Sequence, residues 1–279
     1  MNIIKLYVFS FLLLFLSCNT VSDKVKVEID SPVLPVLVGK EFNPVQKIRL
    51  INNNTNEINE DYLLKRVVFS LKGTTDINDI EEVALFKAGV NENFETDQQF
   101  GMSTFVSEEI SFNDSFLVTE DTLSFWVSVR LKEEVDLSHR VKVTCKEVVI
   151  DDGKLHLTGA DTNSLRVGVA VRQHNQDNVH TSRIPGLATS NDGTLMAIYD
   201  ARYESARDLQ GHMDIAMNRS FDGGRTWEPM QIVLDMNEWG SMPEKYNGVS
   251  DACILVDGFI NGTPWGHSLD MTLKKLLSF

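Results

Sequence analysis

Residues 24–159 alternate apolar and polar positions over short stretches that are separated by polar turns. Such stretches cover residues 24–29, 66–71, 83–87, 123–131 and 140–150. Because a strand with one buried face repeats every two residues, each stretch predicts a β-strand. Strands at these intervals, joined by turns rich in Asn, Asp and Gly, are typical of a β-sandwich. We therefore predict a β-sandwich domain over residues 22–160.

A second β-rich region follows the polar segment 158–165, which is the predicted domain boundary. Residues 167–172, 195–199 and 213–218 have the character of strands, and the turn Asn-Asp-Gly-Thr at 191–194 precedes the second of them. Turn residues of this kind separate strands because they tolerate the backbone angles that a reversal requires. The pattern thus predicts an all-β chain.

The first 18 residues have the organisation of a targeting segment. Lys5 precedes an apolar run over residues 6–16, which ends at Ser17 and Cys18. This arrangement indicates a secretory signal, and the run is too short to span a bilayer. Residues 15–18 also resemble a bacterial lipobox, which implies lipidation at Cys18; the alternative is an ordinary signal with a chance cysteine. We expect an exported lipoprotein, periplasmic or at the cell surface, that meets the membrane only through its anchor.

Composition excludes several classes of function. The 26 Lys and Arg against 40 Asp and Glu give a net charge of −14, which disfavours a nucleic-acid partner, and the 42% hydrophobic content is sufficient for a folded core. Cys145 and Cys253 form no disulfide framework and are expected to be buried, inert thiols. The histidines lack zinc-like spacing, so we expect no metal site.

One segment carries a motif of five defined residues. It matches the Asp-box, a turn between the outer strands of β-propeller blades, at Ser220, Asp222, Gly224, Thr226 and Trp227. Ser and Asp side chains hydrogen-bond the backbone of a tight turn, Gly permits a positive φ, and an indole buries a large apolar area. The motif predicts a structural role, and several propeller families carry it.

Four further segments resemble the opening of the sialidase (neuraminidase) catalytic domain. They are Arg-Ile-Pro at 183–185, Asp-Ala-Arg at 200–202, Asp208, and Asn-Gly-Val-Ser-Asp-Ala-Cys at 247–253. The resemblance runs from residue 167 to about 257, and the upstream sandwich resembles the N-terminal accessory domain of these enzymes. It implies an incomplete six-bladed β-propeller over residues 167–279.

The resemblance also implies roles for individual residues. Arg183 would be one of three arginines that bind the sialic acid carboxylate, for which a bidentate guanidinium is suited. Arg202 would contact the sugar near its 4-hydroxyl, and Asp251 would lie by the 4-hydroxyl and the N-acyl group. Asp208 would be the general acid/base, with a pKa raised by partial burial. The alternative is that these are solvated charges, with Asp208 and Arg207 an ordinary exposed pair.

The activity that the resemblance implies is exo-α-sialidase: hydrolysis of terminal α-linked sialic acids on glycoconjugates with retention of configuration. This hydrolysis requires no organic cofactor, so we expect none. Sialidases use a tyrosine nucleophile, because a carboxylate would approach a carbon that already bears an anionic group. In the family this tyrosine and its activating glutamate come from later blades. None of the three tyrosines of this region, Tyr199, Tyr203 and Tyr246, lies as late in the chain as the nucleophile of the family. The nucleophile and its glutamate are therefore unassigned.

The length of the second region departs from the family. A blade takes on the order of 45 residues and a six-bladed ring roughly 270, whereas residues 167–279 suffice for two blades and part of a third. Only one Asp-box is present, and residues 258–279 have the pattern of an amphipathic helix or coil. Our hypothesis is a deletion or frame disruption that truncated the gene product. Coding sequence for further blades beyond the stop codon would support it.

Three functions therefore remain open. The first is an exo-sialidase, with this particular chain severely impaired or inactive. The second is a catalytically inactive, sialidase-derived lipoprotein that binds glycans weakly. The third is an unrelated Asp-box propeller protein with an adhesive or structural role. The third would be favoured if Arg183, Arg202 and Asp208 did not converge in space.

Overall fold

The computed structural model describes residues 21–52, 61–151, 153–159, 163–208, 211–238 and 240–256. Within these ranges the chain forms seventeen β-strands and four short 3-10 helices, which confirms the all-β prediction. The chain divides into two compact units, Met1–Val167 and Gly168–Phe279, here called unit 1 and unit 2. The predicted signal segment with Cys18 and the tail 258–279 lie outside the described residues.

Unit 1 contains the first thirteen strands and two 3-10 helices, Ile77–Asp79 and Val90–Glu92. The strands are β1 (Val21–Asp30), β2 (Val36–Leu37), β3 (Asn43–Asn52), β4 (Tyr62–Ser70), β5 (Ile80–Lys87), β6 (Gln99–Ser103), β7 (Glu109–Phe112), β8 (Phe116–Val118), β9 (Thr122–Leu131), β10 (Arg140–Val141), β11 (Thr144–Ile150), β12 (Gly153–Gly159) and β13 (Leu165–Gly168).

Ten of these strands form one curled sheet in the order β6-β5-β9-β3-β1-β12-β11-β4-β7, with β8 paired to β4. Strands β1 and β12 pair in parallel, and the other pairs of this sheet are antiparallel. The curl brings the two ends together, since the rings of Phe100 on β6 and Phe116 on β8 lie 4.7 Å apart. The two layers of the predicted sandwich are thus joined by hydrogen bonds into a half-barrel.

The core of unit 1 lies on the inner side of this curl. Its most deeply buried side chains include Ile48, Leu50, Phe69, Phe125 and Val127, from strands β3, β4 and β9. Alternation along each strand sends these apolar side chains inward and the polar ones outward. A second, three-stranded sheet has the order β10-β13-β2.

Unit 2 contains a four-stranded antiparallel sheet in the order β14-β15-β16-β17. Its strands are β14 (Thr181–Thr189), β15 (Leu195–Arg202), β16 (Met213–Ser220) and β17 (Gln231–Leu234), and its 3-10 helices are Gln176–Asn178 and Glu244–Tyr246. This sheet is consistent with one blade of an incomplete propeller. The predicted strands at 195–199 and 213–218 are confirmed. The strand predicted at 167–172 is confirmed only for its first two residues, since β13 ends at Gly168.

Both faces of the unit 2 sheet are covered by apolar side chains. Val179 packs with Tyr199 and Ala216 on one face, whereas Val249 packs with Ile198 and Ile215 on the other. Side chains of β15 are therefore buried on both faces of the sheet. Among the described residues, we find no helix with the length and apolar character needed to cross a membrane.

Candidate functional site

The site begins with two charged residues at the end of the central strand β15. Asp200 and Arg202 are two positions apart, so their side chains leave the same face of the sheet. The Asp200 side chain accepts a hydrogen bond through Oδ2 from Arg202 Nη2 at 3.0 Å. Only 1% of either side chain is exposed. A buried carboxylate and a buried guanidinium thus neutralise each other, as burial of charge requires.

Arg183 reaches the same face from the neighbouring strand β14. It pairs with Asp200 in the antiparallel register, and directly opposed residues project to one side of a sheet. The register then shifts between Arg183 and Gly186, and the intervening Ile184 has φ of +53°. The Arg183 side chain is 45% exposed, so its guanidinium faces solvent at the edge of this cluster.

Asp208 completes the cluster from the loop between β15 and β16. Its Oδ1 lies 2.5 Å from Arg202 Nη2 and 4.0 Å from Arg183 Nη1. The Ala206 carbonyl, on the same loop, accepts hydrogen bonds from Arg202 Nη1 at 2.9 Å and from Arg183 Nη1 at 3.3 Å. The structure therefore brings together the three residues whose convergence the sequence left open.

Two expectations about these side chains differ from the observed geometry. The Asp208 side chain is 72% exposed, so the partial burial expected of a general acid is absent. Arg202 is buried and bonded to Asp200, Ala206 and Asp208, so in this structure its guanidinium is directed to protein groups. The more exposed Arg183 is the better placed of the two arginines to meet an anionic ligand.

Asp251 joins the cluster through its backbone. Its N–H donates a hydrogen bond to Oδ1 of Asp200 at 3.1 Å, and its own φ is +60°. The segment before it is held to β16, because the Val249 N–H donates to the Met213 carbonyl at 2.9 Å. The resemblance implied a role for Asp251 but none for Asp200, which connects it to Arg202. The available signal was an acid two positions before an arginine in an otherwise apolar strand.

The base of the Asp208 loop is closed by a stacked pair of rings. Tyr203 and His212 stack with their centroids 4.2 Å apart, and the Tyr203 hydroxyl donates to Oδ2 of Asp214 at 2.7 Å. Burial raises the pKa of the Asp214 carboxyl. His212 Nε2 also lies 3.5 Å from Oε1 of Glu244, on the 3-10 helix. These contacts fix where the loop leaves and rejoins the sheet.

The tyrosines of this unit are not arranged as nucleophiles. The Tyr199 hydroxyl donates to Oδ1 of Asn218 at 2.5 Å, and burial raises the pKa of Tyr199 to about 12. Burial, together with Asp214, also raises the pKa of Tyr203. A raised pKa disfavours the phenolate, so neither hydroxyl is activated. Tyr246 is exposed on the 3-10 helix.

The segment from Ser220 to Trp227 forms a turn that is closed by its own side chains. Oγ of Ser220 donates to Oδ1 of Asp222 at 2.8 Å and accepts from the Gly224 N–H at 2.9 Å. Asp222 also accepts from the N–H and the hydroxyl of Thr226, at 2.9 and 2.6 Å. Gly224 has φ of +91°, as expected for a glycine in such a turn.

The two cysteines differ in their environment. Cys145 is buried in β11, and this burial raises the pKa of its thiol to about 12. Cys253 is exposed, so the expectation that it is buried is wrong. Within the described ranges, no three His, Cys, Asp or Glu side chains are grouped so that they could hold a metal ion.

The chain is similar to known proteins in both its sequence and its fold. Residues 24–154 match the model of the N-terminal domain of BNR-repeat neuraminidase. A sialidase of Bacteroides fragilis (strain YCH46) is 29% identical over 268 residues, which cover 85% of this chain and 48% of that protein. A solved structure, Hadza microbial sialidase Hz136, superposes with a TM-score of 0.69 at 26% identity, over 81% of this chain and 48% of that one. The chain is thus similar to sialidases over most of its length.

A shorter similarity adds to this relationship. A sialidase of Micromonospora viridifaciens is 41% identical over 75 residues, which cover 27% of this chain and 11% of that protein. The chain spans about half the length of the Bacteroides fragilis protein and of the solved sialidase chain.

Proposed function

We propose that the chain is a glycoside hydrolase of exo-α-sialidase type, whose unit 2 binds the carboxylate of a terminal sialic acid on glycoproteins, glycolipids or oligosaccharides. The observation that carries the proposal is that the guanidinium groups of Arg183 and Arg202 both approach Oδ1 of Asp208. Arg183 supplies an exposed guanidinium for the anionic group. Asp208 stands beside it as the proton donor to the leaving glycosidic oxygen.

The Ser220–Trp227 turn supports the propeller part of this proposal. We propose that it is an Asp-box, because Ser220, Asp222 and Thr226 bond one another and the turn backbone. It forms the connection between β16 and β17, the last two strands in the order of the sheet. Its role is to fix the blade, and it takes no part in catalysis.

The binding half of the proposal is tested with two matched variants. Arg183→Gln and Arg207→Gln each remove one positive charge from the same region, but Arg183 alone belongs to the cluster. We expect Arg183→Gln to weaken the binding of N-acetylneuraminic acid about tenfold or more, since a charge-assisted contact is lost. Arg207→Gln should bind as the wild type does. Saturation-transfer NMR on the purified chain measures both, and equal affinities would contradict the assignment of Arg183.

The catalytic half is tested with a fluorogenic sialoside. Hydrolysis by the purified chain that disappears in Asp208→Asn would support exo-sialidase chemistry. We expect the wild-type chain to hydrolyse it only slowly, because the hydroxyls of Tyr199 and Tyr203 are hydrogen-bonded to protein groups and no nucleophile is assigned. Binding without turnover would select the second candidate, a sialidase-derived glycan-binding protein.

We also propose export and lipid anchoring through Cys18. The support is the charge and apolar pattern of residues 5–18, which is that of a secretory signal ending in a lipobox-like segment. The anchored chain would then act on glycans outside the cytoplasm.

A further inference from the structure

Asp200 uses both oxygens of a fully buried carboxylate to join two parts of the site. Oδ2 accepts from Arg202 Nη2 at 3.0 Å, on its own strand. Oδ1 accepts from the backbone N–H of Asp251 at 3.1 Å, from a segment far along the chain. Asp200 is thus the point at which strand β15 and the Asp251 segment are connected.

The bond to Arg202 determines where the rest of that guanidinium points. A guanidinium is planar, with its donors in a fixed fork, so holding it at one donor sets the direction of the others. The held group places Nη2 at 2.5 Å from Asp208 and Nη1 at 2.9 Å from the Ala206 carbonyl. Asp200 therefore acts on the Asp208 loop through Arg202.

The bond to Asp251 supports an unfavourable backbone conformation. Asp251 has φ of +60°, a left-handed conformation that is uncommon for residues other than glycine, although aspartate tolerates it better than most. Such conformations persist only where the surrounding structure enforces them. The hydrogen bond from its N–H to a buried, fixed carboxylate is a constraint of this kind.

We propose that Asp200 is a positioning residue, which fixes Arg202 against Asp208 and the Asp251 backbone beside them. Its consequence for ligand affinity rests on the proposed function, whereas its effect on Arg202 and Asp251 does not. The two consequences are therefore measured separately.

The matched variants are Asp200→Asn and Asp214→Asn. Both acids are buried on central strands of the same sheet, and in both an asparagine retains an acceptor oxygen. Asp214 is paired with Ala201 in the register, so it lies on the opposite face from Asp200 and contacts Tyr203 instead. It serves as the control for loss of a buried negative charge.

The first measurement is the NMR spectrum of the Arg202 guanidinium in the full chain. We expect resolved Nη signals in the wild type and in Asp214→Asn, because rotation of a held guanidinium is slow. In Asp200→Asn these signals should merge. Unchanged Arg202 signals in a folded Asp200→Asn chain would overturn the proposal. Should that variant fail to fold, hydrogen exchange of the Asp251 amide in the wild type decides, and an unprotected amide there would likewise overturn it.

The second measurement is the affinity for N-acetylneuraminic acid. We expect Asp200→Asn to bind about tenfold more weakly than Asp214→Asn. In an Arg202→Lys background the Asp200 substitution should have a smaller effect than in the wild type, since the part that acts through Arg202 is already lost. Additive losses would contradict the positioning role. Absence of binding by the wild type would count against the proposed function, while the Arg202 and Asp251 measurements would still decide the role of Asp200.

Discussion

At the scale of single residues, burial determines what each charged group of the site is able to do. The sequence identified Arg202 as a charged residue of the site, but its pattern could not predict that the side chain is buried. Arg202 shares its face of β15 with Ile198 and Asp200, and that face is covered by the segment around Val249, which is distant in sequence. No role was predicted for Asp200, since an acid at a strand end has the pattern of a solvated residue.

The reactivity of the two thiols follows from their exposure. Cys253 is exposed, whereas burial raises the pKa of Cys145 to about 12, and the thiolate is the reactive form. We expect a maleimide to modify Cys253 in the native chain and Cys145 only after unfolding, as mapped by peptide mass spectrometry. In the folded Cys253→Ser variant, the maleimide should leave Cys145 unmodified. Rapid native labelling of Cys145 would contradict its placement in the core.

The stability of unit 1 depends on pH through the carboxylate of Glu92. Arg49, Lys47 and Ser124 hydrogen-bond it, and these bonds, led by that of Arg49, lower its pKa from 4.5 to about 2. A depressed pKa contributes stability that is present above pH 4.5 and is lost as the pH falls towards about 2.

We therefore expect Glu92→Gln to remove part of the acid dependence of the free energy of unfolding. Glu133→Gln, at an exposed carboxylate of the same unit, should retain the wild-type dependence. Urea unfolding at a series of pH values between these limits measures both variants. Parallel curves for wild type and Glu92→Gln would show that the ion pairs contribute nothing.

At the scale of elements, local pattern predicted strands and turns more successfully than their pairing. The alternation at 123–131 corresponds to β9 (Thr122–Leu131), and the turn at 191–194 precedes β15. The parallel pairing of β1 with β12 was not predicted, because the partners are far apart in sequence and neither pattern encodes the other. The shift of register beside Arg183 was also missed, since an isoleucine gives no signal for a positive φ.

The turn after β16 depends on the backbone of one glycine. Gly224 has φ of +91°, and a Cβ there would meet the Leu195 side chain at 3.4 Å, an ordinary contact. The cost of Gly224→Ala is thus conformational, about 1–3 kcal/mol of the free energy of unfolding of unit 2. Gly211→Ala is the control, because that position has ordinary φ and no neighbouring atom within 4 Å. Thermal unfolding compares them, and equal midpoints would contradict the requirement for glycine.

At the scale of the whole molecule, the all-β class and the sialidase relationship followed from strand patterns and from a few ordered motifs. The joining of the ten strands of unit 1 into one curled sheet did not, because closure depends on contacts between edges such as that of Phe100 with Phe116. The net charge of −14 belongs to this scale too. It makes the exposed guanidinium of Arg183 a local positive site on an acidic protein.

The anchoring that we propose at Cys18 is tested on the whole molecule in a cell. We expect the wild-type chain expressed in a bacterium to incorporate labelled palmitate and to sediment with membranes. Cys18→Ser should lose the label and appear in the soluble exported fraction, because the acylated side chain is gone. Cys253→Ser should keep the label. Lipid incorporation into Cys18→Ser would disprove the site, and a wild-type chain without lipid would indicate an ordinary signal segment.

The left-handed backbone of Ile184 has a consequence for how this protein would respond to laboratory evolution. A β-branched residue in that conformation costs on the order of 1–3 kcal/mol, and it sits directly after Arg183. A library selected for heat resistance alone would thus be enriched in glycine or asparagine at this codon. The same library selected for retention on a sialic acid resin would keep the bulkier residue if its stiffness aims the neighbouring arginine. Selection for stability and selection for binding would then favour different residues at position 184.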